Sequence, residues 1–395
     1  MGRIPLRNLA CRLVLAGASI FTLVSVSATT ADSNPAARAE AAGGGRAPTG
    51  FLGLGPQTIL ERADLRLMAR AEVDTVRHPL YWYEVERTDP SYAAPDWRTF
   101  DRVVELAALE DIRIAPFVWG TPTWLAREPN AEPAESTAGL RRWKGFLRRA
   151  VRRYGPDGRF WDENPELNEH PIRTWQIWNE PNIVTFSRRP DPSRYGRLVK
   201  ASARVVRGVD SGARVVMAGL FGRPLEIPPN VSPATFLAGA LSVPGVTQSI
   251  DAIALHPYLA VASAMPTKIE ALRTVLKRNQ IGETDLWVTE LGWGSDAGES
   301  RWEKGLEGQS EELDQAMGML TRNRSRWNVE RVYWFTDVDA EGGCQFCDSA
   351  GLLTDKYRAK PAWHAFNSWT GGDASAVVEF RAEKSGQTEP AQTGP

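Results

Sequence analysis

The chain has 395 residues, 42% of them hydrophobic, and a formal net charge of -1. That length can bury a large core within one domain, and the near-zero charge gives no overall basic field of the kind that holds nucleic acid or an anionic membrane. A neutral ligand fits the total charge better, and neither a nucleic-acid nor a membrane partner is expected for the mature chain.

The N-terminus carries Arg3, Arg7 and Arg12, then an uncharged apolar run over residues 13–26, then Ser27, Ala28, Thr29, Thr30 and Ala31. This pattern reads as an export signal spanning residues 1–31, cleaved after Ala28 or Ala31, with secretion as the consequence. An uncleaved membrane anchor is the rival, disfavoured because the run is short for a span and interrupted by Gly17, Ser19, Thr22 and Ser25. Removal of the signal removes Cys11 and leaves Cys344 and Cys347 as an even pair, read as a loop disulfide ahead of a metal site or a reduced pair. Residues 32–50 are rich in Ala, Gly and Pro and read as a linker.

From Phe51 a short apolar strand, a loop and a helical stretch alternate eight times. The strands are expected at residues 51–55, 75–81, 112–119, 174–182, 214–219, 250–256, 286–290 and 331–336. Helices are expected at 59–70, 97–109, 140–154, 193–209, 233–241, 267–279, 311–326 and 360–369; the third is dense in arginine. Strict alternation implies parallel strands with right-handed crossovers, and eight units close a single (β/α)8 TIM barrel over residues 51–370. Residues 371–395 read as a C-terminal tail, disordered beyond about Arg381, and a monomer is expected.

In such a barrel the functional groups sit at the C-terminal ends of the strands. Two of those ends carry acids, Glu180 in T-W-Q-I-W-N-E-P-N and Glu290 in L-W-V-T-E-L-G-W. Counting by twos puts Gln176, Trp178 and Glu180 on one inward face, and puts Trp175 and Trp287 out of phase, toward the helices. Two carboxylates facing each other across a barrel mouth are what glycosidic cleavage requires, one to protonate the leaving oxygen and one to act at the anomeric carbon. Fifteen tryptophans add flat apolar surface on which sugar rings can stack. Trp82, Trp119, Trp124 and Trp293, at strand ends or in the loops above them, are candidate sugar platforms, with core packing as the equal alternative.

Taken in order, I-W-N-E-P-N, L-H-P-Y, V-T-E-L-G-W and V-Y-W-F resemble the clan of retaining (β/α)8 glycoside hydrolases whose acid/base ends strand four and whose nucleophile ends strand seven. The likeness is to bacterial cellulase-like, β-xylosidase-like and exopolysaccharide-hydrolase-like members. It implies Glu180 as acid/base and Glu290 as nucleophile, Asn179 on the sugar 2-hydroxyl and Arg77 against the nucleophile. It further implies Tyr258 beside the nucleophile, His256 near the sugar and Trp334 as the aromatic floor. No metal or organic cofactor is expected. A catalytically silent carbohydrate-binding barrel, or a transglycosylase on the same site, is the alternative.

Overall fold

A computed structural model describes residues 45–222, 227–298, 300–341, 343–344 and 346–380. The expected signal, most of the linker and the tail from residue 381 lie outside the described residues.

Eight strands, β1 (Leu52–Leu54), β2 (Thr75–Tyr81), β3 (Arg113–Trp119), β4 (Thr174–Ile177), β5 (Arg214–Phe221), β6 (Ala252–His256), β7 (Asp285–Leu291) and β8 (Val329–Trp334), pair in sequence order. The β8 strand runs parallel to β1 and closes the barrel. The principal helices around it are α1 (Arg62–Arg70), α2 (Arg98–Ala108), α3 (Thr137–Tyr154), α4 (Pro192–Val209), α5 (Pro233–Leu241), α6 (Met265–Arg278), α7 (Gly305–Arg322) and α8 (Pro361–Thr370). The expected (β/α)8 barrel is therefore the observed fold.

Each helix forms where an apolar stripe meets a start signal. In α3, Trp143, Phe146, Leu147, Ala150, Val151 and Tyr154 are buried at spacings of three and four, and the Ser136 side chain accepts from Gly139 N at the N-terminus. In α4 the Asp191 carboxylate caps the first turn and Pro192 supplies a preset φ. Among the described residues no helix is long and apolar enough to cross a membrane.

Inside the barrel, the rings of Trp287 and Tyr333 lie 6.1 Å apart among Ala115, Val216, Ala252 and Ala254. Small residues opposite large ones keep the interior close-packed. Gly53 belongs to this fit, because a Cβ there would stand 2.7 Å from the Tyr333 ring. Trp287 thus faces the interior rather than the helices, and its Nε1 donates to Glu330 at 2.7 Å. The expectation failed because β7 shifts register against β8 twice, between Leu286 and Trp287 and again between Val288 and Leu291. Counting back by twos from Glu290 crosses the second irregularity. Trp175 is fully buried in the larger cluster between barrel and helices, as expected.

The described ends of the chain pack together on the barrel. Ala47 N donates to Trp369 O at 2.9 Å, and Phe380 is buried with its ring 5.0 Å from Tyr357.

Candidate active site

The β4 strand stops at Ile177, earlier than its apolar pattern suggests, because Trp178 and Glu180 both take positive φ, 71° and 38°. Such conformations cost a non-glycine residue about 1–3 kcal/mol each and need surrounding contacts to hold them. Those contacts are present: Trp178 N bonds Val118 O at 2.9 Å, Glu180 N bonds Gly219 O at 3.1 Å, and Asn182 Oδ1 accepts from Phe221 N at 2.9 Å. The turn breaks the alternation. Gln176 and Glu180 point inward, whereas Trp178 leaves the barrel and packs between Trp143 and Trp119, at 6.0 and 5.9 Å.

Five strands then converge. His256 ends β6 with no exposed surface; its Nδ1 is 2.7 Å from Glu180 Oε1 and 3.4 Å from Glu290 Oε2, and its Nε2 is 2.9 Å from Thr289 Oγ1. The Tyr258 hydroxyl donates to Glu290 Oε2 at 2.7 Å. Arg77, on β2, donates from Nη1 to Glu290 Oε1 at 2.8 Å, from Nη2 to Asn179 Oδ1 at 2.8 Å and from Nε to Gln176 Oε1 at 3.1 Å. Its guanidinium lies 4.1 Å over the Phe117 ring.

The two carboxylates meet different fields. Burial, the largest influence on Glu180, pushes its carboxyl above the usual range despite the hydrogen bond and charge of His256. Burial also opposes ionisation of Glu290, but there His256, Arg77 and the Tyr258 hydroxyl together outweigh it and hold the carboxyl below the usual range. Burial and the adjacent Glu290 keep the Tyr258 phenol protonated far past neutrality. The arrangement therefore holds one proton donor beside one carboxylate.

One oxygen of each glutamate and a ring nitrogen of His256 lie within 4.8 Å of one another, a set that could hold a metal ion. These donors are already committed, however. Arg77 places a cation on Glu290, and His256 engages both nitrogens.

The aromatic expectations divide. Trp334 is fully buried and faces outward from β8, packed 6.1 Å from Trp293 with its Nε1 on Ala350 O, so it is no sugar floor. Inward phase on β8 runs through Tyr333 to Phe335, which is half-buried, 6.4 Å from the Tyr258 ring and thus beside the nucleophile. Trp293 is buried with Nε1 on Leu259 O, and Trp82 is buried with Nε1 on Glu86. Both are core. Trp124 is half-buried, its Nε1 spent on Glu86 O and one face covered by Arg142. Trp119 stays half-exposed at the end of β3, near Tyr81, Tyr83 and Phe186, and keeps its platform candidacy. On the opposite rim Phe346 packs 5.3 Å from Tyr258 and 6.0 Å from Trp302. Cys344 and Cys347 are joined as a disulfide in this rim, where Cys347 O accepts from Gln57 Nε2.

Gln176, Thr289, Gly219 and Phe335 were not singled out for roles by sequence. Gly219 was beyond its reach altogether, since its importance lies in a contact between neighbouring strands.

A family model described as the glycosyl hydrolase catalytic core matches residues 236–359. No curated protein matches the sequence. Among solved structures, the barrel is similar to a family 39 glycoside hydrolase from the gut symbiont Bacteroides cellulosilyticus WH2, at TM-score 0.60 and 18% identity over 82% of this chain and 64% of that one. It is also similar to a monomeric β-xylosidase from Caulobacter crescentus CB15, at TM-score 0.59 and 17% identity over 82% and 69% of the two chains. A glucosidase from Croceicoccus marinus aligns at TM-score 0.58 and 17% identity, over 82% of this chain and 67% of that one. The chain thus spans under two thirds of the first of these proteins, and likeness at such low identity establishes the shared (β/α)8 barrel fold.

Proposed function

We propose that this protein is a retaining glycoside hydrolase that cleaves a β-linked O-glycosidic bond of a polysaccharide or oligosaccharide by double displacement. The observation that carries the reading is the Glu180 and Glu290 pair, with oxygens within 4.8 Å at the ends of β4 and β7 and with opposite protonation preferences. Carboxyl groups about 5–5.5 Å apart suit direct attack, whereas inverting enzymes hold them about 6.5–9.5 Å apart to admit a water.

In the first step Glu290 attacks the anomeric carbon while Glu180 gives its proton to the departing glycosidic oxygen, leaving a glycosyl ester on Glu290. In the second, Glu180, now ionised, takes a proton from water as that water attacks the same carbon and releases Glu290. Asn179 is oriented by Arg77 through its Oδ1, which leaves its amide nitrogen as a donor to the sugar 2-hydroxyl. Tyr258 and Arg77 hold one oxygen each of the nucleophile, which fixes the carboxylate for attack. Phe335 and Trp119 are the aromatic surfaces offered to the sugar.

Export of the chain is part of the same proposal. The charged and apolar pattern of residues 1–31 and the Cys344–Cys347 disulfide support it. The catalytic assignment is tested with Glu290→Ala: turnover of an aryl β-glycoside should nearly vanish, and added azide should restore it as a glycosyl azide of inverted configuration. Undiminished activity in that variant would sink the reading.

A further inference from the structure

The two 18-residue helices α3, TAGLRRWKGFLRRAVRRY, and α4, PSRYGRLVKASARVVRGV, contain no Asp or Glu. Acids make up 48 of the 395 residues, so helices of this combined length would carry about four at average use. The two helices are neighbours, joined by a hydrogen bond of 2.8 Å from Trp143 Nε1 to Ser202 Oγ.

Some of their cations are neutralised by acids from other elements: Arg142 by Asp89, Arg149 by Glu86, Arg153 by Asp101, Arg194 by Glu132 and Arg207 by Asp251. These pairs tie the helices to α2 and to neighbouring loops. Of the remainder, Lys200 donates to Pro244 O. Arg141, Lys144, Arg148 and Arg152 follow one another at spacings of three and four on α3, opposite Arg197 and Arg204 on α4, and none forms an ion pair with a described residue. Between the helices lies a groove of about 280 Å³, lined by Lys144, Arg148, Ala201, Arg204, Val205 and Gly208. Its lining includes three cations and no acid.

A face selected only for helix stability would interleave acids, since like charges at such spacing repel and opposite ones attract. We propose that the α3/α4 face is a binding surface for an anionic polysaccharide, separate from the catalytic mouth. This rests on the reading of the protein as a glycosidase, which makes a glycan the polymer to be held. The stripe from Arg141 to Arg152 covers about 16 Å of helix at 1.5 Å per residue. It starts at the helix end nearest the mouth, because each barrel helix begins where its strand ends. A linear polyanion lying in the groove would place its charged groups along that stripe while a neighbouring stretch reaches the cleft. A bilayer is the poorer fit. None of the exposed large hydrophobic side chains lies on either helix, so nothing here would anchor in acyl chains, and the face is concave.

The test compares the full chain with a Lys144→Glu, Arg148→Glu, Arg204→Glu variant for binding to polygalacturonate, to a neutral dextran and to phosphatidylglycerol vesicles. At about 20 mM salt, where screening is weak, the wild type should bind polygalacturonate but not dextran, lose most of that binding at about 200 mM, and exceed the variant by about tenfold or more. Turnover of a small aryl glycoside should not change between the two proteins, and the unfolding temperature of the variant should not fall, since the new acids relieve like-charge repulsion along α3. Equal binding by both proteins, no binding by the wild type, or binding to vesicles with none to polygalacturonate would each overturn the proposal. An inactive wild type that still binds polygalacturonate through these residues would uphold the surface and count against the glycosidase reading instead.

Discussion

Gly219 on β5 stands where any side chain would collide with His256, since a Cβ there would fall 1.8 Å from the ring's Nε2. His256 touches Glu180 through its other nitrogen, so a position without functional groups fixes the acid/base. Gly219→Ala should fold yet lose most activity, on the order of a hundredfold in kcat/KM, because small misplacements of reacting groups are that costly. Circular dichroism and steady-state kinetics on one preparation check this; a fully active Gly219→Ala would show that the ring has room to move.

The pH dependence follows from the two carboxylates. Activity requires Glu290 ionised, held below the ordinary range by His256, Arg77 and Tyr258 against burial, and Glu180 protonated, held above it by burial. The acid limb of the profile should therefore lie below 4.5 and the basic limb above it. Glu180→Gln should remove the basic limb and lower kcat about 10²–10⁴-fold for substrates with poor leaving groups, far less for activated ones. Tyr258→Phe should move the acid limb upward. A basic limb that persists in Glu180→Gln would assign it to another group.

The two aromatic residues at the end of β8 are predicted to fail in different ways. Trp334→Ala removes a fully buried ring and should cost about 3–5 kcal/mol of stability. Phe335→Ala should leave stability nearly unchanged and reduce kcat/KM for the glycan about tenfold. Denaturant titrations beside kinetics separate the two. The reverse pattern would restore Trp334 as the sugar floor.

Glu132 links the loops after β3 and β4, accepting from Ser187 Oγ at 2.6 Å and facing Arg194 at 3.3 Å. Burial pushes its carboxyl up to about 7 from 4.5. The folded state thus holds this proton more tightly than the unfolded chain. Its contribution to stability is full below pH 4.5 and is lost as pH rises to about 7. Across that window the unfolding temperature of Glu132→Gln should decline less than that of the wild type. Parallel curves would remove Glu132 from the account.

Much of the architecture is legible in the sequence because periodicity changes cleanly between strand and helix: β2 over Thr75–Tyr81 and α5 over Pro233–Leu241 coincide with their expected spans. Glu180, Glu290, Arg77, Asn179, His256 and Tyr258 also converge, since each lies at a strand end that the barrel brings together. The two misreadings of strand phase share one cause. Inward phase was extrapolated through the turn at Trp178 and the irregularities of β7, where the period of two does not hold. The resemblance makes Trp334 the sugar floor, whereas the inward phase of β8 brings its neighbour Phe335 to the site. Total charge concealed the one-signed α3/α4 face, although the arginine density of α3 was plain in the sequence.

The ion pair between Arg77 and Glu290 also bears on assembly. It joins β2 to β7 across the interior, and Arg77 reaches β4 through Gln176, so three strands share one guanidinium. Until β7 joins the barrel, that buried cation lacks its counter-charge, and breaking such a pair costs about 3–5 kcal/mol. Docking of β7 against β2 and placement of the nucleophile thus depend on the same ion pair. Removing the Glu290 carboxylate strands a cation in the core as well as silencing the chemistry, so a small anion such as azide should stabilise Glu290→Ala against unfolding as well as restore its turnover.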